Sequence, residues 1–475
     1  MTPRTQKSKE EKEQVSLVRT LGFWGSFGMG FADIGADIFL ALGVVVVWAM
    51  GAAPLAFLIA SILYACTGLS YTELASTYPI AGGGSVYARK AFGDIAGFIA
   101  GWGLLLDYTI CIPLFALISI GYLGFFFPTI IFAHILIGPF PISVMGMIAA
   151  ILMVFLIFLN YLGIRESANL NIVFVTLCLV GLGLLLVIGF LTVWNWAFLL
   201  SQIQWGVSPT VSSFLYSISV ATVSFIGLES ISEAAEETKN PGKTITRSTL
   251  VLIVCIIFFT VTVSLLALGI VPWPLIAEGT ANPLAVVASY LPWAFILAPL
   301  IAIIGVTISY VSANAGIVGV SRVSYEMSRS KLIPQWFNKL HSKYRTPFRS
   351  IVLFSAIGVG FAFLGDLNLL VDLYAFGALI SYIMVNLALI QLRNTQPNVH
   401  RPWRVPGTIT IPWRDGKKIE VPLPAAIGVI SCAAVWLIVV LFKEFGRLVG
   451  FVWFLVGFLL YVIYRKSRDM SLQAQ

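Results

Sequence analysis

"GFADIGADIF", residues 30–39, sets Asp33 and Asp37 four positions apart, with Gly35 between them, in a stretch that otherwise reads as a membrane-spanning helix. A charged side chain near the middle of a bilayer costs roughly 2.5–3.5 kcal/mol on insertion scales, so two retained acids mark a functional place. In an uninterrupted helix the two would share one face and repel. A break near Gly35 would separate them and free backbone groups to line a cavity, and glycine-rich interruption at that depth is tolerated only where the backbone is so sheltered.

The surroundings of this decapeptide support a membrane setting. Of 475 residues, 59% are hydrophobic and 11% charged, and the mean hydropathy is +0.95. Apolar runs of about 20 residues, each able to cross the roughly 30 Å of hydrocarbon, recur from end to end. They predict an all-α integral membrane protein with twelve helices near 22–50, 54–78, 95–125, 142–162, 167–194, 208–238, 245–271, 293–328, 348–365, 367–393, 423–442 and 445–464. The first reads as a retained signal anchor, because no small-residue cleavage site follows it.

The net charge of +8 is topological and does not point to nucleic acid. With the N-terminus inside, every basic residue except Lys443 and Arg447 falls on one side, as expected of cytoplasmic loops, so both termini are read as cytoplasmic in a plasma or prokaryotic inner membrane. Cys66, Cys111, Cys178, Cys255 and Cys432 have no metal-ligand spacing and read as free thiols, and His134, His341 and His400 are scattered. Neither a metal centre nor an enzyme's nucleophile and base is apparent. "AGGGSV" (81–86) lacks the lysine and Ser/Thr of a nucleotide loop and reads as a flexible cytoplasmic gate before span 3.

Span 6, "SVATVSFIGLESISEA", is interrupted in its middle as span 1 is, and its "IGLE" (226–229) answers "IGAD" (34–37) five spans earlier. Paired interruptions in two halves are the sequence sign of an inverted-repeat transporter with a midplane site. Together with "YPIAGGGSVYARKAFGD", "GWGLLLDY", "GLESISEAAEETKNPGK" and the run from Ser312 to Pro347, the opening decapeptide resembles the amino acid/polyamine/organocation superfamily of permeases.

The resemblance implies a five-plus-five inverted repeat of the leucine-transporter type with broken helices 1 and 6. Repeat one would cover about 21–195 and repeat two about 208–395. Around this core lie a tail (1–20), a proline-rich connection (396–422), helices 11 and 12 (423–464) and a second tail (465–475). It implies alternating-access symport of an amino acid or cationic amine, driven by protons or sodium. The substrate carboxylate would sit on the amides of Gly35, Ala36 and Asp37. Its amine would sit on carbonyls near Phe31, Ala32, Val223 and Ser224, beside Gly227 and under Phe225 as a lid. Thr307, Ser309 and Ser312 are candidate hydroxyl ligands of the fold's sodium site, where bonding back to their own helix is the alternative, and Arg322 and Glu326, one turn apart, are candidates for an inner gate or a solvated surface pair.

Two departures matter. Asp37 stands where the family's small-residue run ends in glycine, which favours a cationic ligand. Cys178 stands where proton-coupled relatives carry a lysine, and a neutral thiol does not replace an ammonium. A second branch of the resemblance, potassium-uptake permeases, would use Asp33, Asp107 and Tyr108 around a bound potassium ion. Asp107 could equally pair with a polar group of span 8 or 10, Glu229 could cap a helix, and Asn314 could tie helices together. Tyr374, Ser381 and Tyr382 on span 10 could be cavity walls or ordinary packing, with packing favoured. No cofactor beyond a bound sodium or potassium ion is expected, and the partners are the solute, a coupling cation and lipid. Oligomeric state is open.

Overall fold

The computed structural model describes residue 19 and residues 21–137, 140–163, 168–412 and 418–472. The N-terminal tail (apart from Arg19), Arg165, Arg414, Lys417 and the last three residues of the C-terminal tail lie outside these. Ten helical stretches among the described residues are long and apolar enough to cross a membrane. The first, Phe23–Thr77, contains two helices, α1 (Phe23–Ala49) and α2 (Ala53–Thr77), joined by a 3-10 turn at Met50–Ala52. After the short α3 (Gly83–Phe92) come α4 (Asp94–Leu123), α5 (Val144–Tyr161), α6 (Ala168–Thr192), α7 (Val211–Ala221), α8 (Glu229–Glu233), α9 (Pro241–Ile270), α10 (Ala294–Arg329), α11 (Phe348–Ala362), α12 (Leu367–Thr395), α13 (Leu423–Phe442) and α14 (Glu444–Lys466). Among the described residues, α11 is a shorter apolar helix of 15 residues.

Local chemistry sets several of these boundaries. Thr210 and Asp366 cap α7 and α12, their side chains accepting from the amides of Ser213 and of Asn368 and Leu369, which satisfies donors that a helix start leaves unpaired. Pro241 opens α9 directly after Asn240, whose φ is +46°. Two antiparallel hairpins, β1–β2 (His134–Ile137 with Phe140–Ser143) and β3–β4 (Thr408–Pro412 with Lys418–Pro422), lie between helices. The second lies within the proline-rich connection.

α1 and α4 form the centre. α4 is buried along its membrane window, while α14 is mostly exposed. α10 and α12 pack along α4, and α1 packs against α6, α7, α9 and α10.

The expected break in span 6 is present. α7 ends at Ala221, a 3-10 turn covers Thr222–Phe225, and Ile226 is extended with ψ 148°. Gly227 then takes φ +110°, a conformation that favours glycine, before α8 begins.

The expected break in span 1 is absent: α1 runs unbroken for 27 residues through the whole decapeptide. Its glycines serve close packing instead. A Cβ at Gly35 would stand 2.6 Å from the Phe31 ring, and one at Gly30 would stand 2.6–2.8 Å from Leu252 and Ile231. The amides of Gly35, Ala36 and Asp37 lie within helix, where each is committed to the carbonyl four residues back. Asp33 and Asp37 therefore do not part company; they share one buried face.

Candidate functional site

The uninterrupted α1 crosses the interrupted α7–α8 at Asp33. Ser230 donates to Asp33 Oδ2 at 2.8 Å and also to the Gly227 carbonyl. A Cβ at Gly227 would lie 3.0 Å from Asp33 Cγ, so the glycine supplies both the backbone turn and the room for the carboxyl group. Tyr382 of α12 completes the corner: its hydroxyl donates to Glu229 Oε2 at 2.9 Å and accepts from the Gly227 amide at 3.3 Å. Asp107 of α4 faces Glu229 across the break, and Asp37 lies within electrostatic reach of both Asp33 and Glu229.

Asp33, Asp37, Asp107 and Glu229 are each 0–1% exposed. Asp33 Oδ1, Glu229 Oε1 and both carboxyl oxygens of Asp37 and Asp107 have no hydrogen-bond donor among the described residues. Among the described residues, the ion pairs go elsewhere and none reaches these four side chains. Removing a charge from water costs several kcal/mol per ion even after relaxation. Such a cluster is stable only with protons or a positively charged ligand on its open oxygens.

The remaining candidates fall into three groups. The first meets the carboxyl cluster. Ser312 donates to the carbonyls of Ala32 and Asp33 at 2.6 and 3.1 Å, tying α10 to α1 at the crossing. Phe225 stacks on Tyr64 of α2 with ring centroids 5.0 Å apart. Val223 and Ser224 are fully buried in the 3-10 turn, and the Ser224 hydroxyl is unpartnered. Ala36 and Phe31 are buried in α1.

The second group sits beside the cluster. Ser309 is buried with an unpartnered hydroxyl. Tyr108 follows Asp107 in sequence; its ring packs on Gly319, and its hydroxyl lies near Glu233 and within electrostatic reach of Asp33, Asp107 and Glu229. With Ala32, Ser230, Glu233, Asn314 and Arg322 it lines a cavity of about 70 Å³.

The third group is occupied otherwise. Thr307 donates to the carbonyls of Ile303 and Ile304 in its own helix. Arg322 and Glu326 do not pair with each other. Arg322 reaches Glu237 at 2.8 Å, and Glu326 bonds Arg329 at 2.7 Å, because the segment after α8 supplies a carboxylate across from Arg322 that no spacing within α10 discloses. Cys178 is buried near Cys255, and Asn314 accepts from Asn160 at 2.6 Å, joining α10 to α5.

Sequence reasoning passed over Ser230 and Tyr64, and favoured packing over a cavity wall for Tyr382. The only available hint was Ser230 falling one residue after Glu229 in the interrupted segment. The glycine run at 82–84 is wedged close to the site: added Cβ atoms would meet Glu326, Ser232 and Ser381 at 2.6–2.9 Å.

A helical membrane protein whose buried ionisable groups converge on a helix interruption has the architecture of a transporter. Residues 21–464 match the amino acid permease family, and the chain belongs to it. It is 28% identical to the branched-chain amino acid permease of Bacillus subtilis, over 96% of this chain and 95% of that one. It is 27% identical to the methylthioribose transporter of the same organism, over 85% and 87%. It is 28% identical to cationic amino acid transporter 7 of Arabidopsis thaliana, over 81% and 67%. The protein is a transporter and not an enzyme.

Proposed function

We propose that the protein is a secondary transporter that moves an amino acid or a related cationic amine across a plasma or inner membrane by alternating access, coupled to inward flow of protons or sodium. The carrying observation is the convergence of Asp33, Asp37, Asp107 and Glu229 on the α7–α8 break, with carboxyl oxygens that lack a hydrogen-bond donor and no basic side chain paired to them among the described residues. A substrate ammonium neutralises part of that charge, and a coupling cation or proton neutralises more, so solute and ion favour each other's binding through one electrostatic field. The kinship to permeases named for branched-chain and cationic amino acids supports an amino acid as the solute. With the α1 amides committed to helix, positive charge on the ligand carries more of the recognition than its carboxylate.

In this reading the two helices of Phe23–Thr77, the α7–α8 pair and α11 each count as crossings, and the chain crosses twelve times as two inverted five-helix repeats plus α13 and α14. Both termini are cytoplasmic, and rocking of the α1–α2 and α7–α9 elements against the rest opens the site to alternate sides.

The competing potassium-uptake reading has Asp33 and Asp107 in its favour, with Tyr108 within electrostatic reach of both, while the kinship to amino acid permeases supports the amino acid reading. Uptake by purified protein in vesicles separates the two. The proposal expects labelled leucine or arginine to accumulate under an inward proton or sodium gradient. Rubidium accumulation without amino acid uptake would replace it with the potassium reading.

A further inference from the structure

Lys443 is one of two basic residues that sequence reading leaves on the side opposite the basic loops. It is the single residue between α13 and α14, closing one and opening the other, so its position is fixed by both. Its ammonium lies 3.6 Å from Asp372 Oδ2 of α12, 4.6 Å from the centre of the Tyr216 ring of α7 and 4.8 Å from that of Trp48 at the end of α1. Asp372 is 4% exposed. It accepts from the Tyr216 hydroxyl at 2.7 Å, and the two rings meet edge to face at 4.8 Å. Gly446 lets the first turn of α14 approach, since a Cβ there would stand 3.2 Å from Asp372 Cβ. Ser213 adds a bond from α7 to the Trp48 carbonyl at 2.6 Å.

These contacts gather, at one end of the molecule, the helices that carry the site: α1 with Asp33 and Asp37, α7 leading into the break, and α12 with Tyr382. A solute entering from that end must pass where α1 and α7 part from α12. An ion pair, a phenol hydrogen bond and two cation–aromatic contacts hold that seam among the described residues. We propose that Lys443 is a positioning residue for transport, a latch by which the α13–α14 pair holds α1 and α7 against α12 and keeps that entrance shut. The inference rests on the alternating-access reading above. It gives the C-terminal helix pair a part in the cycle.

The test is hydrogen exchange on the full-length protein in lipid nanodiscs, comparing wild type with Lys443→Met and Lys443→Arg. Loss of the ammonium should speed amide exchange in Val211–Ala221 about tenfold, the scale of a partly desolvated cation–aromatic and ion-pair contact, with no rise in Glu229–Thr238 at the far end. Arginine should restore the wild-type rate. Asp372→Asn, which keeps the side chain's shape, should reproduce the methionine pattern. Unchanged exchange in α7, or an equal rise at both ends as loosened packing would give, overturns the latch. Leucine and arginine uptake by the same wild-type preparation is measured in parallel: its failure removes the transport reading, while the exchange pattern still decides whether the latch exists.

Discussion

Ser230 donates a hydrogen bond to Asp33 Oδ2 at 2.8 Å, joining the helix that stays whole to the helix that breaks. The bond leaves Asp33 Oδ1 open and holds the carboxyl group against Gly227. One acid thus reports on both crossing elements, and a ligand drawn to it meets the break at the same moment.

Asp33→Asn removes the charge and keeps the shape. A hydrogen bond to a charged group contributes about 1.5–3 kcal/mol, so uptake kcat/KM should fall roughly 10- to 100-fold. Membrane insertion and the size-exclusion profile should stay normal. Unaltered uptake kinetics would take Asp33 out of the site.

Gly35→Ala tests whether this glycine serves packing or unwinding. With Phe31 2.6 Å from the new methyl group, overpacking should cost about 1–3 kcal/mol and lower the midpoint of thermal unfolding. Phe31→Leu in the same chain should recover much of that loss by making room. If the helix must unwind at Gly35, trimming Phe31 would recover nothing, and the double variant would decide between the two roles.

The contrast between Gly35 and Gly227 also shows where sequence reasoning stops. Both sit in the echoing "IGAD" and "IGLE" segments, and both read as breaks. Gly227 takes φ +110° and breaks the helix, whereas Gly35 accommodates an aromatic ring four residues back in an intact helix. Nothing local tells a glycine needed for its backbone from one needed for its missing side chain. The apolar runs were readable because bilayer thickness imposes their length. The acids stood out because hydrocarbon makes them costly. Tyr382 did not stand out, since a tyrosine in an apolar helix reads as filling, and its partner Glu229 lies 153 positions away. Arg322 and Glu326 looked like a pair from helical spacing, yet each found a nearer partner, Arg322 outside its helix and Glu326 one turn along it.

Asp37→Gly removes one of the four site carboxyls without touching an assigned hydrogen bond. The preference for arginine over leucine in competition uptake should drop, because the lost negative charge weakens a cation more than a zwitterion. An unchanged ratio would mean that Asp37 does not face the solute.

At the far end, Glu73 of α2 is buried and accepts from both ends of the Arg393 guanidinium, from Arg401 at 3.3 Å and from the Val405 amide at 2.7 Å. It thereby pins the Arg401–Val405 stretch of the connection to α2 and α12. Glu73→Gln leaves Arg393 buried without its counter-charge. Breaking a buried pair in this way costs about 3–5 kcal/mol, so thermal unfolding should shift down sharply while Glu420→Gln, on the exposed pair with Arg404, should change little. Equal stability of the two variants would refute the pinning role.

The most direct measurement is ligand-induced thermal stabilisation of the purified protein and of Asp33→Asn, screened with arginine, leucine, potassium and sodium. A ligand held at 100 times its Kd stabilises the folded state by about 2.7 kcal/mol, well within reach of the assay. The acidic chamber should make an amine-bearing amino acid raise the unfolding midpoint of the wild type, and the variant should lose most of that rise. An equal rise in both proteins, or stabilisation by potassium alone, would contradict a cationic amine held at Asp33.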